Sequence, residues 1–256
     1  MRRLNNILGC ALALALALAG GVAARAQEAR GEVDAAAIDE ARRIVEELRV
    51  ELAPVENQIR NVPYMTALEN GQVSRENLRK FACEQYHIAT SDLRSAAQMV
   101  ARFGGTPSGD FFKGIVDSET VVRGLLLDFA RALGLNERDL KACEPRPLAQ
   151  TYPHFVTWMS VNGTDADMAA AFLVNFPVFG ENVGRMGAAL RSRYGFTERQ
   201  TAYFEFLSFL PQSFKDDALK VIAAGLRKGA QEREIKRSAR LLQAYELDFW
   251  TSVGQD

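Results

Sequence analysis

The sequence predicts an all-α fold, a single-domain bundle of about eight helices. Apolar residues recur every three or four positions in long segments, and no segment of useful length alternates as a β-strand does. Turns containing glycine, proline or asparagine separate these segments, and the chain shows neither an internal repeat nor a low-complexity linker. The predicted helical domain covers residues 34–253, which is enough chain to bury a hydrophobic core without a structural metal.

Residues 1–26 have the three parts of a secretory signal peptide. Two arginines follow the first methionine, an apolar stretch covers residues 7–20, and Ala24-Arg25-Ala26 forms a small-x-small cleavage site. This pattern predicts a periplasmic or secreted protein with no membrane attachment after cleavage. Two alternatives stay open, an uncleaved anchor and cleavage by the lipoprotein peptidase at Cys10.

The charge of the chain excludes some partners. The net charge is −1, and the predicted signal carries three arginines and no acidic residue, so the remaining chain has a net charge of −4. It also contains no basic cluster. We therefore expect no nucleic-acid partner and no binding to an anionic membrane surface.

The first two predicted helices precede the turn at Asn70-Gly71. Asp34 is expected to cap the first, and Pro54 is expected to break or kink it. The second runs from Ile59 to Leu68 and ends at that turn.

The next two helices are expected to form an antiparallel hairpin. Ser74 caps the first, which runs to Gly104-Gly105, and the second covers about Asp110 to Leu133. Cys83 lies early in the first helix and Cys143 lies just beyond the end of the second, so both map to the same end of the hairpin. In an oxidising compartment they could form a disulfide, and two unpaired buried thiols are the alternative.

The remaining helices follow an irregular connection over residues 135–148. The first of them runs from near Ala149 to Asn162-Gly163. A long helix, capped by Asp165 and kinked at Pro177, then runs to about Tyr194. The last three are a short helix that begins at Thr197-Glu198, a helix between Pro211 and Lys228-Gly229, and a helix over about Glu232 to Val253.

Few residue patterns of known chemistry occur. The chain has two histidines, and Glu84 precedes His87 by three residues, a spacing that helical bundles use for metal ligands. A di-iron site needs this motif twice, and His154 has no acidic partner three or four residues away. We therefore predict no metal and no cofactor, with Glu84 in solvent and His87 as a half-buried polar residue.

Two polar residues stand inside apolar stretches. Asn175 must find hydrogen-bond partners if it is buried, either at the backbone freed by Pro177 or in a cavity. Of Glu246 and Asp248, one must lie close to the aromatic residues around them. A glutamate held there would have a raised pKa and would suit proton transfer, and a surface glutamate is the alternative.

Several stretches together resemble the TenA (thiaminase II) and PqqC family. They are Val62-Pro63-Tyr64, Leu68-Glu69-Asn70-Gly71-Gln72-Val73, Phe81-Ala82-Cys83-Glu84-Gln85-Tyr86-His87, residues 145–152, residues 169–175 and residues 245–250. The resemblance covers about residues 50–253 and implies the heme-oxygenase-like helical fold with a pocket for a small heterocyclic molecule. Members of this fold often assemble as dimers or tetramers, so a homo-oligomer stays open.

The resemblance also implies the residues of that pocket. The implied ligand-binding residues are Gln85, His87, Tyr152, Asn175 and Phe179, and the implied catalytic residue is Glu246. Asn175 stands where the family has its active-site cysteine, and an amide cannot act as a covalent nucleophile, so thiaminase activity is not expected. Gln85 stands at the position of the catalytic aspartate, and Glu246 matches the glutamate that handles protons.

Three functions are consistent with these observations. The first is binding of a small heterocycle without thiaminase activity. The second is a metal-free hydrolase or oxidase that acts on a heterocycle with Glu246 as acid and base. The third is a non-catalytic scaffold protein whose pocket has filled in.

Overall fold

The computed structural model describes residues 35–254, and the predicted signal peptide at residues 1–26 lies outside this range. Over the described range all regular structure is helical, which confirms the predicted all-α bundle. The helices are α1 (residues 35–60), α2 (Pro63–Glu69), α3 (Arg75–Phe103), α4 (Gly109–Ala132), α5 (Glu137–Ala142), α6 (Thr151–Asn162), α7 (Asp165–Tyr194), α8 (Ala202–Ser208), α9 (Gln212–Arg227) and α10 (Glu232–Val253), with short 3-10 helices at Pro147–Gln150 and Arg199–Thr201. No helix in residues 35–254 has the length and apolar character needed to cross a membrane.

Side chains at the N-termini of α3 and α7 fix where these helices begin. The hydroxyl of Ser74 accepts a hydrogen bond from the backbone N–H of Asn77 at 3.1 Å, as predicted for the cap of α3. The cap of α7 is Thr164 instead of the predicted Asp165. Thr164 accepts from the N–H of Asp167 while the Asp167 carboxylate accepts from the N–H of Thr164, and this reciprocal pair places Asp165 inside the helix.

Within the described residues, two prolines lie in helices beyond the first turn, Pro54 in α1 and Pro177 in α7. Of the expected break or kink at Pro54, the break is wrong, because α1 continues to residue 60. Pro54 removes the hydrogen-bond donor to the carbonyl of Val50, and Val50 is 70% exposed, so water can satisfy that oxygen. Pro177 lies within α7 as expected, and the helix continues past it.

Helix α7 passes through the middle of the bundle, where it packs against α2, α8, α9 and α10. Every residue from 165 to 175 is buried, an arrangement typical of a central helix. Gly187 allows α8 to approach α7, since a Cβ there would lie 2.9 Å from the Cβ of Phe204. Phe204 packs in turn on Phe81 and Phe129, so α3, α4, α7 and α8 share one aromatic core.

The segment over residues 143–150 is attached to α3 at three points. Cys83 and Cys143 form a disulfide, so the alternative of two unpaired thiols is wrong. Glu84 is buried and accepts hydrogen bonds from the N–H of Arg146 at 2.9 Å and from the amide of Gln150 at 2.8 Å. The expectation that Glu84 lies in solvent is therefore wrong, because its hydrogen-bonding partners come from a distant part of the chain.

His87 makes the third attachment. Its Nε2 atom lies 3.0 Å from the carbonyl oxygen of Cys143, and its side chain is half-buried, as expected. Together the disulfide, Glu84 and His87 hold residues 143–150 on α3. This segment leads directly into α6, so it also positions Tyr152 at the start of that helix.

Candidate functional site

A cavity of about 500 Å³ lies among α3, α4, α6, α7, α8, α9 and α10. Most of its wall is apolar and aromatic, including Phe111, Phe176, Phe179, Phe206, Phe214 and Phe249. Exposed carboxylates, Asp110, Glu205 and Asp217, lie where the cavity opens to solvent. Its polar inner surface comes from Gln85, Asp92, Glu119, Tyr152, Tyr203 and Glu246, and none of the described lining residues is a lysine, arginine or histidine.

Glu246 is a buried carboxyl group in the cavity wall, 2% exposed. Trp250, one helical turn later on α10, donates its indole N–H to Oε1 at 2.7 Å, and Asn175 donates to Oε2 at 3.2 Å. Burial raises the pKa of Glu246 from its ordinary value of 4.5 to about 7, and these two hydrogen bonds limit the rise. The group can therefore gain or lose a proton near neutral pH while its orientation stays fixed.

Asn175 lies behind Glu246 and does not line the cavity. Its amide N–H groups face two residues of α10, with Nδ2 at 3.2 Å from the Glu246 carboxylate and at 3.3 Å from the side-chain oxygen of Gln243. These side chains, and not the backbone freed by Pro177, satisfy the amide. Asn175 therefore orients Glu246, and the structure shows no surface through which it would contact a ligand directly.

Gln85 and Tyr203 form a second polar pair in the cavity wall. The hydroxyl of Tyr203 donates to Oε1 of Gln85 at 2.7 Å, and both side chains are buried. This bond fixes the amide, and its NH₂ group has no protein partner within residues 35–254, so it is available as a donor.

Tyr152 and Phe179 also line the cavity, as their predicted roles require. The pKa of Tyr152 is raised well above 10 by burial, so its hydroxyl stays protonated. The ring of Phe179 lies 6.2 Å from that of Trp250. His87, by contrast, does not line the cavity, because its ring is turned toward the carbonyl of Cys143.

Asp92 and Glu119 are two cavity residues that the sequence analysis missed. Asp92 lies two helical turns beyond Gln85, so it shares the inner face of α3. Glu119 stands four residues after Ile115 and three before Val122, both buried, which places it on the apolar face of α4. An acidic residue at such a position was the signal in the sequence that would have identified it.

Burial raises the pKa of both Asp92 and Glu119. It raises the pKa of Glu119 to about 7. It also raises the pKa of Asp92 well above its ordinary value, and the nearby charges of Glu119 and Glu246 add to that rise. Three carboxyl groups therefore share one cavity without a balancing positive side chain.

Tyr203→Phe should lower the free energy of unfolding by about 1 kcal/mol, because it removes the hydrogen bond to Gln85 and leaves a buried amide oxygen without its donor. Urea unfolding followed by circular dichroism measures this change. Tyr245→Phe is the matched control, since Tyr245 is half-buried and no hydrogen bond of its hydroxyl occurs in the described structure. An equal effect of the two substitutions would contradict the role assigned to the Tyr203 hydroxyl.

The helical architecture is that of proteins with the heme oxygenase-like fold. A domain of unknown function from Shewanella denitrificans, described as having this fold, superimposes with a TM-score of 0.65 at 14% identity, covering 81% of this chain and 89% of that one. A TenA homologue from Pseudomonas syringae pv. tomato superimposes with a TM-score of 0.66 at 14% identity, covering 81% and 91%. A TenA homologue from Pyrococcus furiosus gives 0.64 at 17% identity, covering 82% and 99%.

The sequence itself identifies the family. The model of the TENA/THI-4/PQQC family matches residues 49–255, so the chain belongs to that family. This confirms the resemblance inferred from the sequence. No curated protein matches the chain.

Proposed function

We propose that this protein is an exported member of the TENA/THI-4/PQQC family whose cavity binds a small heterocycle and which lacks thiaminase activity. The observation that carries the proposal is Glu246, a buried carboxyl group in the cavity wall with its orientation fixed by Trp250 and Asn175.

The size and walls of the cavity suit a small flat molecule. Its volume of about 500 Å³ lies within the range of about 300–1,000 Å³ that is usual for small-molecule pockets. Tyr152, Phe179 and Phe249 supply rigid apolar surface on which an aromatic ring can pack.

The polar groups favour a heterocycle with a basic ring nitrogen. A carboxyl group whose pKa is about 7 can share a proton with such a nitrogen, in either direction, near neutral pH. The NH₂ group of Gln85 offers a donor to an acceptor elsewhere on the ring. A few fixed polar groups in an apolar pocket are the usual basis of ligand specificity.

The absence of a thiol nucleophile supports the loss of thiaminase activity. The resemblance to TenA and PqqC proteins implies that Asn175 stands at the position of the family's cysteine, and an amide does not form the covalent intermediate that a thiolate forms. Both cysteines within residues 35–254 are joined in the disulfide, so this part of the chain holds no free thiol.

The disulfide also supports the proposed location. Disulfides form and persist in oxidising compartments and are rare in the cytosol. The Cys83–Cys143 bond therefore agrees with the signal pattern in residues 1–26, and we propose a periplasmic or secreted protein.

Isothermal titration with a panel of pyridines, pyrimidines and purines tests the binding function. We expect at least one to bind, and Glu246→Gln to weaken that binding on the order of 30-fold, since the amide cannot share a proton with the ring. Glu198→Gln, an exposed carboxylate, serves as the control and should leave binding unchanged. Equal affinities of the wild type and Glu246→Gln would contradict the proposal.

The acidity of Glu246 also favours a second function at the same site. A group with a pKa of about 7 is suited to act as general acid and base at neutral pH, as in a metal-free hydrolase or oxidase. Incubation of a bound heterocycle with the protein, followed by mass spectrometry, distinguishes binding from turnover. A product that forms with the wild type and not with Glu246→Gln would establish catalysis. An unchanged ligand would show that the site binds the heterocycle without converting it.

A further inference from the structure

Helix α6 has an outer side without charged residues. Its sequence, Thr151–Asn162, contains no aspartate, glutamate, lysine or arginine, whereas the exposed sides of α1 and α10 carry many. A helix that is apolar all round is usually covered by protein on every side. On α6, however, Trp158 is 46% exposed and Val161 is 57% exposed. One copy of the chain therefore leaves uncovered a helix whose sequence is typical of a buried one.

The uncovered side of α6 belongs to a larger apolar surface. The ring of Phe155 lies nearly parallel to that of Trp158, with centroids 5.7 Å apart, and it meets the ring of Tyr245 on α10 edge-on at 5.4 Å. Leu148, just before α6, and Val161, near its end, are exposed beside these rings. We call these residues the α6 face. Aromatic side chains exposed together are typical of protein–protein interfaces.

The α6 face lies between α3 and α10. On one side the hydroxyl oxygens of Thr157 and of Ser91 on α3 are 3.0 Å apart. On the other side Phe155 contacts Tyr245 on α10. Because successive residues of an α-helix turn by about 100°, Thr157 and Phe155 point about 200° apart, and Trp158 points between them, away from the bundle.

Each flank of the α6 face carries a charge that has no partner. On the α3 flank, Arg94 follows Ser91 by three residues, and on the α10 flank, Asp248 follows Tyr245 by three residues, so both charges lie beside the face. Within the described part of the chain, neither Arg94 nor Asp248 takes part in an ion pair or a side-chain hydrogen bond. The two flanks are therefore opposite in charge, and one copy leaves both charges unmatched.

We propose that two copies of this chain associate through the α6 face, around a two-fold axis that runs along α6. Trp158 then packs against its counterpart, and the α3 flank of one copy faces the α10 flank of the other. Arg94 lies opposite Asp248 of the partner subunit, and this pair forms twice. The opposite charges of the flanks favour a second copy over an unrelated partner, because one kind of chain supplies both halves of the match.

The α6 face lies behind the wall of the cavity. Tyr152 on α6 and Glu246 on α10 line the cavity from the inner sides of the same two helices. A second copy therefore supports these helices from outside and does not contact the ligand. The inference is independent of the proposed binding function.

Analytical ultracentrifugation of the purified protein tests the association. We expect a dimer, and we expect Trp158→Ser combined with Val161→Ser to raise the dissociation constant at least about 100-fold, because truncating side chains at the centre of an interface has effects of that size. Val50→Ser combined with Val121→Ser is the matched control, since both valines are exposed on other helices, and it should leave the constant unchanged. Circular dichroism should show that both variants stay helical, because the substituted side chains are exposed in one copy.

Exchanging the charges tests how the two copies are oriented. Arg94→Glu alone, or Asp248→Lys alone, places like charges opposite each other at two points of the dimer and should weaken it about 10-fold. The variant with both substitutions restores an attractive pair and should regain most of the wild-type affinity.

Three results would overturn the inference. A wild type that sediments as a monomer at every concentration would leave the α6 face to a different partner. A dimer that survives the substitutions of Trp158 and Val161 would show that the copies associate elsewhere. A double charge variant as weak as the two single variants would contradict the two-fold arrangement.

Discussion

Removing the disulfide between Cys83 and Cys143 should lower the free energy of unfolding by about 4 kcal/mol. The bond joins residues 60 positions apart, and closing a loop of that length restricts the unfolded chain strongly. The effect should extend to the site, since the disulfide helps to hold residues 143–150, which lead into α6 and Tyr152.

Urea unfolding of the wild type and of the double variant Cys83→Ala with Cys143→Ala measures this loss. The wild type treated with reductant is a second route to the same state and should give a similar midpoint. A double variant within about 1 kcal/mol of the wild type would show that Glu84 and His87 hold the segment without the disulfide.

The ligand-free protein should lose stability as the pH rises from 4.5 to 7. Burial raises the pKa of Glu119 and of Glu246 to about 7, from an ordinary value of 4.5. Across this window the unfolded chain has released protons that the folded protein still holds, so the free energy of unfolding falls with rising pH. Glu246, which is 2% exposed, accounts for about 3 kcal/mol of this loss.

Surface carboxylates that pair with arginine or lysine titrate below this window. The hydrogen bond from Arg185 lowers the pKa of Glu69, so its contribution to stability is present above about pH 4.5 and is lost only as the pH falls further. The loss between pH 4.5 and 7 therefore reports on the buried acidic groups of the cavity.

Glu119→Gln isolates one of these groups, because it removes the ionisable proton and keeps the shape. Denaturation at pH 5 and at pH 8 should show a smaller difference in the variant than in the wild type, by on the order of 2 kcal/mol, since Glu119 is partly exposed. Glu198→Gln, an exposed carboxylate, should leave the difference unchanged. A wild-type stability that is flat or rises between pH 5 and pH 8 would contradict the burial of these groups.

Local patterns in the sequence predicted much of the fold. The cap at Ser74, the proline within α7 and the last helix, predicted at about Glu232 to Val253, all occur as expected. These features depend on neighbours along the chain. Thr164 and Asp165 are both good capping residues, and only the reciprocal bonds with Asp167 decide between them.

Long-range contacts were not predictable in the same way. The spacing of Glu84 and His87 indicated either a metal ligand pair or ordinary polar residues. Their partners, Arg146, Gln150 and Cys143, lie 56 to 66 residues further along the chain. No local pattern contains this information, because the pairing arises only when residues 143–150 pack on α3.

The candidate site was predictable in part. Gln85, Tyr152, Phe179 and Glu246 do line one cavity, and their roles in binding or catalysis stay predictions. The inward position of Asp92 depends on how α3 and α4 pack, so the sequence alone does not separate it from the solvated acidic residues of the chain.

Native mass spectrometry of the protein purified from its native cells tests the central claim most directly. We expect the wild type to carry a bound heterocycle with a basic ring nitrogen and Glu246→Gln to carry much less of it. A protein that is empty in both forms, and whose melting temperature no heterocycle raises, would contradict the claim that this cavity is a binding site.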